Sequence, residues 1–171
     1  MYQPRHVDLL GALIGIPDGA PGIMRTLRLM RQLVEQGKRD PRIRAAAVNL
    51  IHLIPERDHL GEIRTLFEFA RDRIRYVNDV NGVETVHEPA KILELESGDC
   101  DDKTILLASL LESVGYTTRF VVTGHNYPGV FDHVYLMVML PDGSFLPLDA
   151  SEPVGPGWEP PGPLIYYVEG S

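Results

Sequence analysis

From Gly22 the apolar positions recur at spacings of three and four: Ile23, Leu27, Met30 and Val34. That spacing lies on one face of an α-helix, and Gly37 is its stop. Asp40-Pro41 restarts the pattern as an N-cap followed by proline at the first helical position, and RIRAAAVNLIHLI follows as far as Pro55. A third helix is expected from near Asp58 through EIRTLFEFARDRIRYV to about Asn78, with Ile63, Leu66, Phe67, Ala70 and Ile74 as its buried stripe. Asn81-Gly82 is a turn signal, and residues 83–96 are less regular, with Pro89 opening a short helix. Ser97 to Gly115, SGDCDDKTILLASLLESVG, reads as a helix closed by Gly115 at C′. The period then changes. TTRFVVTG, DHVYLMVML and SFLPLDA read as strands, with PDG as the tight turn between the last two. The stretch from Glu152 to Pro163 is rich in proline and glycine, and LIYYVEG reads as a last strand. Helices first and an antiparallel sheet afterwards make an α+β fold, N-terminal helices packed on a C-terminal sheet. Residues 1–21 hold three prolines and three glycines and read as a loosely ordered arm, with 22–171 as a single domain.

The bulk properties narrow the functional classes. A chain of 171 residues, 44% hydrophobic and 23% charged, can bury a core without staples. Its single cysteine excludes an internal disulfide. A formal net charge of −8 argues against a general nucleic-acid or anionic-membrane surface. The apolar run LLGALIGI is too short to span a bilayer, and it follows only Arg5 and Asp8, so the expected compartment is cytoplasmic.

The lone cysteine, Cys100, falls on the first turn of its helix, behind Asp99 as N-cap and with Asp102 at the capping-box position. Free N–H groups and the positive dipole end there favour a thiolate. Asp99, Asp101 and Asp102 oppose it, so good ionisation near neutrality calls for a cationic partner such as an imidazolium. Cys100 also lines up with Thr104, Leu107, Leu111 and Val114 in one stripe, and a cysteine in such a stripe is more often a small core residue.

Of six histidines, His6, His52, His59, His87 and His125 have bland placements in the arm, in a helix, near element ends or in the loop GHNYPG. His133 instead starts a strand and alternates with Tyr135, Met137 and Met139. If Pro141, Asp142 and Gly143 form a three-residue loop, Leu140 faces Ser144 and Asp149 faces Tyr135, on the His133 side. A two-residue loop would send Asp149 to the other face. The order Cys, His, Asp puts a nucleophile at a helix start, a base on a strand and an orienting carboxylate beside it.

GDCDDKTILLASLLESVGYTTRFVVTG, then DHVYLMV, then PLDAS resembles the transglutaminase-like superfamily of papain-type cysteine enzymes, over a core of about residues 60–151. The helix ending IRYV and the extended EPAKILELESG resemble the segment before that family's cysteine. The whole chain is most similar to small stand-alone members encoded by bacteria and by phages or prophages. The resemblance implies Cys100 as nucleophile, His133 as general base and acid, and Asp149 as the residue orienting His133. It implies a protein or peptide substrate, hydrolysis, deamidation or transamidation of an amide, and no cofactor. The family's oxyanion donor upstream of the cysteine has no convincing counterpart in Glu94, Glu96 or Ser97, which leaves the Cys100 N–H as the candidate.

The competing reading is a binding or assembly module that keeps the scaffold without the activity. A metal site has no HExxH or CxxC to support it. Asp79 and Asn81-Gly82 match only a fragment of a calcium loop, and no glycine-rich loop supports a nucleotide. Tyr76, Tyr127 and Trp158 are candidate cleft residues, each with core packing as the plainer role. Substrate identity and oligomeric state leave no mark in the sequence.

Overall fold

The computed structural model describes residues 21–77, 86–124, 132–162 and 164–167. Residues 1–20 of the arm, the Asn81-Gly82 turn, His125 and Tyr127 lie outside them. In chain order the elements are α1 (Pro21–Gly37), α2 (Pro41–Ile51), α3 (His59–Asp72), β1 (Arg75–Tyr76), α4 (Pro89–Leu95), β2 (Ser97–Gly98), α5 (Cys100–Ser113), β3 (Thr118–Thr123), β4 (His133–Met139), β5 (Phe145–Leu148) and β6 (Leu164–Tyr167). The strands β5-β4-β3-β6 form an antiparallel sheet in that order. The architecture is the expected α+β fold.

Local chemistry sets the helix starts. Asp40 accepts a hydrogen bond from the Arg42 N–H at 2.8 Å, and Asp58 accepts one from the Gly61 N–H at 2.9 Å, so each satisfies a donor that the helix cannot. Gly115 follows α5 with a φ of +102°, a region that favours glycine. The α3 stripe of Ile63, Leu66, Phe67, Ala70 and Ile74 is buried.

Packing decides the rest. α5 is enclosed by α1, α2, α3 and α4 and by β3 and β4. Every residue from Asp102 through Leu111 is therefore buried, not only the single stripe that periodicity suggests. The inner sheet face, Phe120, Val122, Val134, Leu136, Val138 and Leu148, joins this core. On the outer face Val121, Tyr135 and Met137 make a smaller cluster.

α3 is shorter than the sequence suggests. It ends at Asp72, and Arg75-Tyr76 pair in parallel with Ser97-Gly98 instead of continuing the helix to Asn78. The Arg75 N–H donates to the Glu96 carbonyl at 2.8 Å and the Val77 N–H to the Gly98 carbonyl at 3.1 Å. The Lys103 ammonium closes the helix end, donating to the Arg71 and Ile74 carbonyls at 3.0 and 2.8 Å. This pairing sets Tyr76 beside Gly98, just ahead of Cys100.

The β4–β5 hairpin takes the register of a three-residue loop: Leu136 faces Leu148, Val138 faces Leu146, and the Leu140 N–H donates to the Ser144 carbonyl at 2.8 Å.

Candidate active site

Three elements end at one place. Cys100 is the first residue of α5, His133 the first of β4, and Asp149 follows β5. The α5 and β4 starts are tied together, since the Thr104 hydroxyl donates to the Val134 carbonyl at 3.3 Å and the Val134 backbone also hydrogen-bonds the Cys100 thiol.

Asp99 caps α5 by accepting from the Asp102 N–H at 3.0 Å. The thiol is half-buried and donates to the Asp101 carboxylate at 3.6 Å. Burial pushes its pKa well above the ordinary thiol range, and the Asp101 and Asp99 carboxylates push it further. The Val134 bond pulls the other way without overcoming them. Burial and the neighbouring carboxylates thus favour the protonated form, which donates to Asp101.

His133 Nε2 and Asp149 Oδ2 are 2.7 Å apart. The Asp149 side chain is fully buried, and its other oxygen accepts from the Ser151 N–H at 3.0 Å. Burial works against a charged His133 ring. The bond and charge of Asp149, helped by Glu152 and Asp132, outweigh it and raise the pKa above the usual histidine value. The Asp149 bond at Nε2 fixes the orientation of the ring.

Tyr76 stands within electrostatic reach of this group. Burial and the neighbouring Cys100, Asp99, Asp101 and Glu152 push its phenol up to about 12, so the hydroxyl stays a donor. Beside Trp158, the Gly157 N–H donates to the Pro147 carbonyl on β5 and Glu159 accepts from the hydroxyl of Tyr135, whose ring stacks on His133.

One partner escaped the sequence reading. Asp102 does not complete a capping box; His87 clasps it. The His87 backbone N–H meets Oδ1 and its ring Nδ1 meets Oδ2, both at 2.9 Å. Asp102 is buried, and Gly98 lies against it so tightly that a Cβ at residue 98 would sit 2.4 Å from the Asp102 Cβ. No spacing signal links His87 to a residue 15 positions away on another element. Among the described residues no cluster of three or more His, Cys, Asp or Glu could hold a metal ion, and no helix is long and apolar enough to cross a membrane.

Comparison with known proteins fits this arrangement. A family model described as the transglutaminase-like superfamily matches residues 51–150. No curated protein matches the chain. Among solved structures, a proposed cysteine protease from Cytophaga hutchinsonii is similar, with a TM-score of 0.54 and 15% identity over 66% of this chain. A proposed protease from Parabacteroides distasonis has a TM-score of 0.57 and 14% identity over 71% of this chain. The chain spans 38% and 26% of those two proteins, and at such identities the likeness is one of fold. The fold is thus a papain/transglutaminase-like core.

Proposed function

The chain belongs to the transglutaminase-like superfamily, and from that premise we propose that it is a cysteine-dependent acyl-transfer enzyme acting on an amide bond of a protein or peptide. The observation that carries this reading is the His133–Asp149 pair at 2.7 Å, with both carboxylate oxygens engaged, at the strand start tied to the Cys100 helix.

Because burial and the Asp101 and Asp99 carboxylates favour the protonated thiol, His133 acts as a general base during attack and not as half of a preformed ion pair. Cys100 Sγ attacks the amide carbonyl carbon while its proton passes to His133 Nδ1. The carbonyl oxygen gains the negative charge and is met by the Cys100 backbone N–H at the open end of the helix. The Tyr76 hydroxyl is the candidate second donor, a role that the shortened α3 makes available. The C–N bond then breaks, and the leaving amine takes the proton from His133. Water, deprotonated by the same nitrogen, attacks the thioester, releasing the acid and restoring the thiol. An amine in place of water would give transamidation; hydrolysis is the default, because a half-exposed Tyr76 leaves the site open to solvent.

The raised thiol favours one other reading, a binding or assembly module in which the scaffold persists without turnover. Labelling the pure protein with an electrophilic amide-mimic probe, with and without prior alkylation, separates the two. Acyl transfer requires labelling at Cys100 that His133→Ala suppresses. Labelling equal in both proteins would favour the inactive module.

A further inference from the structure

Next to the candidate active site lies a cleft of about 320 Å³ between the end of α3, β1 and the segment after Asp149. Its lining includes Tyr76 and Glu152, which also act electrostatically on the catalytic group. The chain carries a net charge of −8, but this cleft has the opposite balance. Arg71, Arg73, Arg75 and Lys103 line it against Asp72 and Glu152. Asp72 is already neutralised by Arg71, which donates through Nε and Nη2 to its two oxygens at 2.6 and 2.7 Å. Arg73 and Arg75 are exposed and make no ion pair among the described residues.

One buried donor in the same lining is incompletely used. Lys103 is 3% exposed and spends two N–H groups on the Arg71 and Ile74 carbonyls, where an ammonium has three. An unused buried donor costs stability unless something fills its valence, and here the partner it lacks is an acceptor. An oxygen ligand with negative charge meets this need and the field of Arg73 and Arg75.

We propose that this cleft is the substrate subsite beside Cys100 and that it takes a carboxylate of the substrate, held by Lys103 and attracted by Arg73 and Arg75. Its description as a substrate subsite rests on the acyl-transfer reading; its affinity for a carboxylate does not. The carboxylate belongs either to an acidic side chain or to a chain terminus.

The test is an NMR titration of ¹⁵N-labelled Cys100→Ser protein at low salt. The ligands are N-acetylglutamate α-amide, N-acetylglutamine free acid, N-acetylglutamine amide and Nα-acetyl-lysine amide. Saturable shifts at the Tyr76 and Ser151 amides are expected with one or both carboxylates, and the neutral amide should bind about ten-fold more weakly. The preferred carboxylate identifies the side chain or the terminus as the source. Arg73→Glu with Arg75→Glu should weaken binding by about ten-fold, and 0.5 M salt should do the same. Equal binding of the neutral amide, tighter binding of the lysine derivative, indifference to charge reversal, or no shift with any ligand would each overturn the proposal. Selective carboxylate binding alongside a wild-type protein without turnover would sink the acyl-transfer reading and leave the carboxylate site standing. Turnover without carboxylate selectivity would do the reverse.

Discussion

Two histidine–aspartate pairs flank the start of α5, and they are built for different ends. In the His133–Asp149 pair the ring engages through Nε2, and the second carboxylate oxygen is fixed by the Ser151 backbone. Asp149 is thus held in place by the main chain, and the imidazole meets it through the ring alone. In the His87–Asp102 pair the same histidine supplies both donors, ring Nδ1 to one oxygen and its own N–H to the other. Asp102 is closed off, and the His87 ring is 41% exposed, against 11% for His133. A largely buried imidazole bonded to a fixed carboxylate has the setting that the proposed proton transfer needs. A clasp made by ring and backbone together fixes the chain segment ahead of Cys100 onto its helix. A hydrogen-bonded His–Asp pair is therefore not itself a catalytic signature; which nitrogen is engaged, and what holds the carboxylate, decides.

If this contrast is right, the largest effect belongs to Cys100. Cys100→Ser should reduce turnover to background while the thermal midpoint stays within a few degrees of wild type, as followed by circular dichroism. A variant that fails to fold would instead make Cys100 a core thiol. His133→Ala should lower kcat/KM by about a thousand-fold or more. His87→Ala, the matched change in the other pair, should alter it by less than about ten-fold. Comparable losses in both variants would erase the distinction.

Asp149→Asn should slow turnover by on the order of ten- to a thousand-fold, because an amide can present an N–H where the ring needs an acceptor. Wild-type turnover in that variant would remove Asp149 from the mechanism.

The pH dependence sharpens the comparison further. The folded His133 pKa is raised, so the stability gained from its charged pair is fully present below the ordinary value of about 6.5 and fades as pH rises through the folded value. Urea titrations across that window should show wild-type stability falling relative to His133→Gln. In the same window Cys100 alkylation by iodoacetamide should rise as His133 loses its proton. In His133→Ala the alkylation profile should move above the ordinary thiol pKa of about 8.5, since burial and the Asp99 and Asp101 carboxylates are then opposed only by the Val134 backbone bond. A profile unchanged by the substitution would mean that thiol and imidazole are uncoupled.

The smallest effects are on stability. His87→Ala should cost about 1–3 kcal/mol by leaving one oxygen of a buried carboxylate without its ring donor. Gly98→Ala should cost a similar amount, roughly 1–3 kcal/mol, because its Cβ cannot coexist with Asp102 as placed. Neutral outcomes in chemical denaturation would show that the clasp is dispensable.

The sequence by itself determined the features whose causes are local. The helix starts at Asp40, Asp58 and Asp99 follow from side chains that reach the backbone within a few residues. The strand period gives the β4–β5 hairpin, but its register, and with it the meeting of His133 and Asp149, was chosen between a two-residue and a three-residue loop only by the packed strands. What only the tertiary structure decided lies where distant segments compete for the same groups. Arg75-Tyr76 fit a helical pattern, yet their backbone pairs with Ser97-Gly98, and the Lys103 ammonium holds the carbonyls where α3 stops. Asp102 has the spacing of a capping-box residue, yet His87 claims both of its oxygens. Asp99 and Asp101 announce a conflict over the thiol in the sequence, but its outcome depends on burial, which exists only once β4 has packed across the start of α5. Local hydrogen bonds and periodicity are set by neighbours in the chain; desolvation and the choice among competing partners are set by the packed chain as a whole.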